Sequence, residues 1–144
     1  MRTIKKFFSL TPADRGLVLD AGFWVALVRV GLGLASLQTL RRALAWIART
    51  RGAINPVRAV EPERIAWAVR AASQYVPNAT CLTQALAAQI MLARHGYPAN
   101  LRIGVALGER NTLHAHAWVE SDGTVLIGGG AMLEQLTPLA NFET

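Results

Sequence analysis

A single cysteine, Cys81, stands in this chain of 144 residues, together with three histidines. Two of these, His114 and His116, fall in the run Leu113-His114-Ala115-His116-Ala117-Trp118-Val119-Glu120. A thiol becomes a nucleophile as its thiolate, and an imidazole titrating near neutrality is the side chain best suited to take its proton. On a strand the run alternates, so His114, His116, Trp118 and Glu120 share one face, and Ala115, Ala117 and Val119 the other. The small apolar face suits packing. The opposite face carries two imidazoles, an indole and a carboxylate, a set with the means for acid–base work. Weighed against this, most lone cysteines are small buried hydrophobes. One cysteine excludes an internal disulfide and a cysteine-built zinc site. Two histidines on one strand face can ligate zinc with Glu120 or Cys81 as a third ligand, but no recognised spacing supports it. No metal and no cofactor is expected.

An imidazole that acts as a base is normally oriented by a third group. Asp122-Gly123 reads as a two-residue hairpin turn, with Thr124 to Ile127 as the returning strand. The simplest register sets Gly129 opposite His116, within Gly128-Gly129-Gly130, a stretch without side chains. The orienting group is then Glu120, a main-chain carbonyl, a water or an acid from elsewhere; Asp122 is near in sequence but serves the turn. The glycines either let a peptide substrate lie close to the backbone or form a bulge. Gln74, a few residues before Cys81, is a candidate oxyanion donor. His95, in the last turn of a helix, reads as structural.

The elements that must hold these groups follow from local signals. Asn78 or Thr80 can cap a helix from Cys81 to His95, closed by Gly96. Cys81 then sits in the first turn, where free N–H groups and the helix dipole stabilise a thiolate and can hold an oxyanion. Pro62 opens a preceding helix that stops near Tyr75-Val76-Pro77. Leu101, Ile103, Val105 and Leu107 alternate as a strand. Upstream, Thr11 caps, Pro12 fits the first turn and Asp14 is placed as a capping carboxylate, which predicts a helix over 12–30. Gly31 and Gly33 are expected to loosen it, and Ser36 to cap a second helix through Arg49. Trp24, Trp46 and Trp67 fall on apolar helical faces and read as packing. Helices first and an antiparallel sheet after them make the chain α+β.

Apolar residues make up 52% and charged residues 17%, which excludes a disordered chain. Charge is uneven. Residues 1–60 carry ten Lys and Arg against two acids, whereas residues 61–144 carry five against seven. Gly52 to Pro62 reads as a linker. The expected division is therefore a basic, apolar helical region at 1–58, for docking a partner or a membrane, and a catalytic core at 59–144. Residues 21–40 approach the length of a bilayer span, but Arg29 in their middle costs about 2.5–3.5 kcal/mol on insertion scales. A pair of amphipathic helices on a partner or on the inner membrane face is the preferred reading, with Arg41, Arg42, Arg49 and Arg51 suited to an anionic surface. The competing reading makes these arginines a solvated face. Nucleic acid is not expected as a partner, because the basic stretch lacks interleaved polar and aromatic readers.

Three runs, Cys81-Leu82-Thr83-Gln84-Ala85-Leu86-Ala87-Ala88-Gln89, Leu101-Arg102-Ile103-Gly104-Val105 and Ala115-His116-Ala117-Trp118-Val119-Glu120, resemble in order and spacing the leader peptidases of lasso-peptide biosynthesis, which are transglutaminase-like cysteine proteases. The resemblance covers about residues 60–130 and extends to the basic helical N-terminal part. It implies a papain/transglutaminase-like core, with the nucleophile at a helix N-terminus packed on a small antiparallel sheet. It implies Cys81 as nucleophile and His116, not His114, as base. The family's third member is usually an Asp about a dozen residues beyond the histidine; here that place is Gly128 or its neighbours. Such enzymes cut the leader from a ribosomally made precursor peptide so that a cyclase can close the freed amine onto an acidic side chain. The short stretch before residue 60 resembles the split type, which works with a separate leader-recognition protein. The expected location is the cytoplasm, with attachment to the inner membrane face through the basic helices left open. Two other functions fit the same residues: a transglutaminase-like acyl transfer, and a non-catalytic peptide-binding adaptor with a degenerate triad.

Overall fold

The computed structural model describes residues 2–50 and 60–142. In chain order the elements are α1 (Arg2–Phe8), α2 (Pro12–Leu34), α3 (Leu37–Thr50), α4 (Pro62–Ser73), α5 (Cys81–Arg94), β1 (Asn100–Leu107), β2 (Leu113–Ser121), β3 (Thr124–Ile127) and β4 (Thr137–Phe142). All strand pairings are antiparallel, in the order β3-β2-β1-β4. The α+β class expected from the sequence is what the chain adopts.

The helix starts are those that local chemistry dictates. Thr11 caps α2, its Oγ1 accepting from the Asp14 N–H and donating to the Asp14 carboxylate at 2.8 Å. Pro12 and Pro62 occupy the first turns of α2 and α4. Thr80 caps α5 by accepting from the Thr83 N–H. Gly96 leaves α5 at φ +83°, a conformation open to glycine.

Several expectations are corrected. α2 runs through Gly31 and Gly33 to Leu34. Gly31 does not end the helix: a Cβ there would lie 2.4 Å from Leu40 Cδ1, so the glycine lets α3 approach α2 closely. Trp24 is fully buried and Trp67 half-buried, but Trp46 is 64% exposed and packs into no core. An additional helix, α1, precedes Thr11, and a fourth strand, β4, pairs with β1 beyond the region read as sheet.

One hydrophobic core joins the two halves of the chain. α2 gives it Val18, Ala21, Trp24, Val25 and Val28; α4 gives Ile65 and Val69; α5 gives Leu86, Met91 and Leu92. The sheet adds Leu101, Ala117, Val119 and Ile127 from one face. A smaller cluster of Ala106, Trp118 and Leu136 lies on the opposite face. α2 is long and apolar enough to cross a membrane by length and composition, yet one of its faces forms part of this core. The expected boundary at 58/59 and most of the expected linker lie outside the described residues.

Candidate active site

Cys81 occupies the first position of α5, one residue after the Thr80 cap. Its thiol is free and half-buried at the margin of the main core. With Thr80 satisfying the Thr83 N–H, the remaining first-turn N–H groups lie beside the sulfur at the positive end of the helix dipole. Unpaired N–H groups at a helix start suit a carbonyl oxygen that gains negative charge.

α5 packs on α2 and, among the strands, chiefly on β2, and Gln89 ties it to the sheet. The buried Gln89 Nε2 donates to the Ala99 carbonyl at 3.2 Å and to the Phe142 carbonyl at 2.9 Å. The chain reverses after Arg94 and returns to Gln89 at Ala99, so β1 runs back along α5. β2, antiparallel to β1, runs with it. Cys81 lies eight residues, about 12 Å of helix, before Gln89. His116 lies three residues, about 10 Å of strand, before Val119, the partner of Leu101. Thiol and imidazole therefore lie toward the same end of the sheet. They approach it from different faces: α5 covers the Ala117 and Val119 side, while His116 shares the other with Trp118. No hydrogen bond joins Sγ to the imidazole.

The half-buried His116 ring has two contacts. It stacks on Trp118 with centroids 6.5 Å apart and planes 17° apart. Its Nε2 lies 2.8 Å from the Gly128 carbonyl oxygen. A carbonyl oxygen can only accept, so Nε2 donates and Nδ1 is left free. His114 differs. It is exposed at the sheet margin, with Nε2 3.2 Å from Thr112 Oγ1.

The other candidates are placed as follows. Glu120 accepts from Trp118 Nε1 at 2.9 Å and pairs with Arg102 at 3.0 Å; neither bond reaches His116. Asp122 sits exposed in the hairpin turn at φ +47° beside Gly123 at φ +78°, the turn geometry expected for Asp-Gly. Gln74 is exposed at the end of α4, where it lines a cavity with Lys6, Phe7 and Trp67 among others. His95 Nδ1 lies 2.7 Å from the Met91 carbonyl oxygen at the end of α5. Among the described residues, no three His, Cys, Asp or Glu side chains gather as a metal site.

The expected register of the hairpin is corrected. Ser121 pairs with Thr124 and Glu120 with Val125, but a bulge then moves Val119 onto Ile127. The ladder ends there, so Gly129 is not the ladder partner of His116; the Gly128 carbonyl meets its ring instead. Sequence reasoning left this contact among several options, because a main-chain oxygen has no residue type to announce it. The partnership of Arg102 with Glu120 was missed altogether. Its only trace was Arg102 alternating onto the polar face of β1.

The α+β fold agrees with a wider comparison. A family model described as the transglutaminase-like superfamily matches residues 24–141, and the chain belongs to that superfamily. Its members are typically enzymes that work through a cysteine. No curated protein and no solved structure gives a significant match. The family match begins within α2, well before the linker.

Proposed function

We propose that this chain is a cysteine peptidase that removes the leader from a ribosomally made lasso-peptide precursor, acting with a separate leader-recognition protein and a cyclase. The observation that carries the reading is a capped helix-start cysteine, on a helix packed against the strand that bears His116, within a transglutaminase-like match. Resemblance of the three sequence runs supports the narrower assignment to leader peptidases. The cytoplasmic side of the inner membrane is the proposed location. Exposed Leu19, Phe23, Val30 and Leu34 on α2, with exposed Lys5 and Lys6 on α1, support that surface.

In the proposed reaction, His116 Nδ1 takes the Cys81 proton. This step requires the two groups to meet around the edge of β2, where the pairing with β3 ends at Val119 and Ile127. The thiolate attacks the carbonyl carbon of the last leader residue, and first-turn N–H groups of α5 bind the oxyanion. Collapse of the tetrahedral intermediate breaks the C–N bond, and His116 returns its proton to the departing core-peptide amine. Water, deprotonated by His116, then attacks the thioester; the leader leaves as a carboxylate and the thiolate is regenerated.

The test incubates precursor and recognition protein with wild type, Cys81→Ala and His116→Ala, followed by mass spectrometry. Loss of leader release in both variants is expected. Normal release by Cys81→Ala would sink the mechanism. A product carrying an added amine in place of the leader carboxylate would reassign the site to acyl transfer. Leader binding without cleavage, with a Cys81 thiol no more reactive than a free one, would make the chain an adaptor.

A further inference from the structure

We infer that the main-chain carbonyl of Gly128 is the positioning group for His116, doing with a peptide dipole what a carboxylate side chain does in a charged triad, and that it selects Nδ1 as the basic nitrogen. The inference rests on the proposed role of His116 as base. Its first support is the 2.8 Å contact between Nε2 and the Gly128 oxygen. Because that oxygen has no proton to give, neutral His116 must be the Nε2–H tautomer, with its lone pair on Nδ1.

The second support is that the backbone reaches this position only as glycine. Gly128 has φ +78°, a conformation L side chains rarely adopt. A Cβ there would lie 2.6 Å from the Ala117 oxygen and 2.9 Å from Trp118 Cβ. Any side chain would therefore push the carbonyl away from the ring. The segment leading to Gly128 is held from the helical layer by Arg70 Nη1, which donates to the Leu126 carbonyl at 2.8 Å.

The third support is that the ring plane is set independently. Trp118 stacks on His116, and its own Nε1–H is fixed by Glu120, which Arg102 holds. Gly104, opposite His116 on β1, leaves room for this indole: a Cβ there would lie 3.1 Å from Trp118 Cζ3. Stack and carbonyl together restrict both the tilt and the rotation of the imidazole. Glu120 thus acts on the base through Trp118, not by contact.

The test reads the tautomer of His116 directly by 15N NMR in the intact wild-type protein, above the pH at which the ring is protonated. A protonated Nε2 and an unprotonated Nδ1 are expected; an Nδ1–H tautomer would overturn the inference whatever the activity. Gly128→Ala is expected to lower kcat for leader release by about 100-fold, as a displaced catalytic group does, with KM little changed and the tautomer preference lost. A folded Gly128→Ala protein with unaltered kcat and tautomer would also overturn it. So would a tautomer shift in Glu120→Gln but not in Gly128→Ala, because the carboxylate would then be the orienter. Failure of the peptidase reading shows separately, as leader release that persists in Cys81→Ala, and leaves the tautomer result standing.

Discussion

His114 and His116 are the same residue type on the same strand face, and their surroundings separate them. His114 is exposed beside Thr112, whereas His116 is stacked on an indole and bonded to a carbonyl. A base must be held in one orientation, so only the second is suited to the work. His114→Ala is expected to leave leader release within about twofold of wild type, as a surface substitution away from the chemistry does; a steady-state assay checks it. Thr80 is the other residue whose role is local. Its hydroxyl satisfies the Thr83 N–H at the helix start that carries the thiol. Thr80→Ala is expected to destabilise the protein by about 1 kcal/mol, measured by urea unfolding. The cap was legible in the sequence as one of two candidates, Asn78 or Thr80, because a cap depends on neighbours two or three residues away; alternation placed both histidines on one face and did not separate them.

At the scale of elements, close approach and register decide the fit. Leu40 of α3 lies against Gly31 of α2, where a Cβ would fall 2.4 Å from its Cδ1. Gly31→Ala therefore gains helix propensity but overpacks a buried leucine. A net loss of about 1–2 kcal/mol is expected, as for other overpacked sites. In a Leu40→Ala background the sign should reverse, because only the propensity gain, up to about 1 kcal/mol, remains. Urea melts of the four proteins test both statements. Gln89 fixes α5 against the sheet through two backbone carbonyls. Gln89→Leu leaves both oxygens short of a donor and should cost about 1–3 kcal/mol. It should also lower kcat, because the same bonds set the height of Cys81 along the sheet. Neither contact was readable beforehand. A glycine in a helical pattern and a polar residue in an apolar stripe each have several explanations until the facing element is known.

For the whole molecule, the basic first part and the near-neutral second part share one core, and Asp14 helps to clamp them. Its carboxylate accepts from Thr11 and pairs with Arg64 at the start of α4. The Thr11 hydrogen bond foremost, with Arg64 adding to it, lowers its pKa below the ordinary 3.8. A carboxylate depressed in the folded state contributes stability above its unfolded pKa and loses it as pH falls through the folded value. The stability difference between wild type and Asp14→Asn should therefore be constant near neutrality and shrink below about pH 3.8, ordinary for the unfolded group. Urea unfolding at a series of pH values checks this. A difference that grows on acidification would contradict it.

Charge asymmetry and the glycine- and proline-containing stretch suggested two regions with separate tasks. Composition cannot reveal that Trp24 and Val28 of the first region bury themselves among helices of the second. What the chain alone determined was written in short-range chemistry: helix starts at Thr11, Pro62 and Thr80, the Asp122-Gly123 turn, the alternation of β2, and a thiol at a helix N-terminus. These depend on hydrogen bonds and side-chain periods spanning two to four residues, so they are present in the order of residues itself. Tertiary structure alone decided the bulge that shifts β3, the carbonyl that meets His116, the union of both halves in one core and the addition of β4. Each depends on surfaces brought together from distant parts of the chain, where packing rather than local preference selects among registers that the sequence leaves equally open.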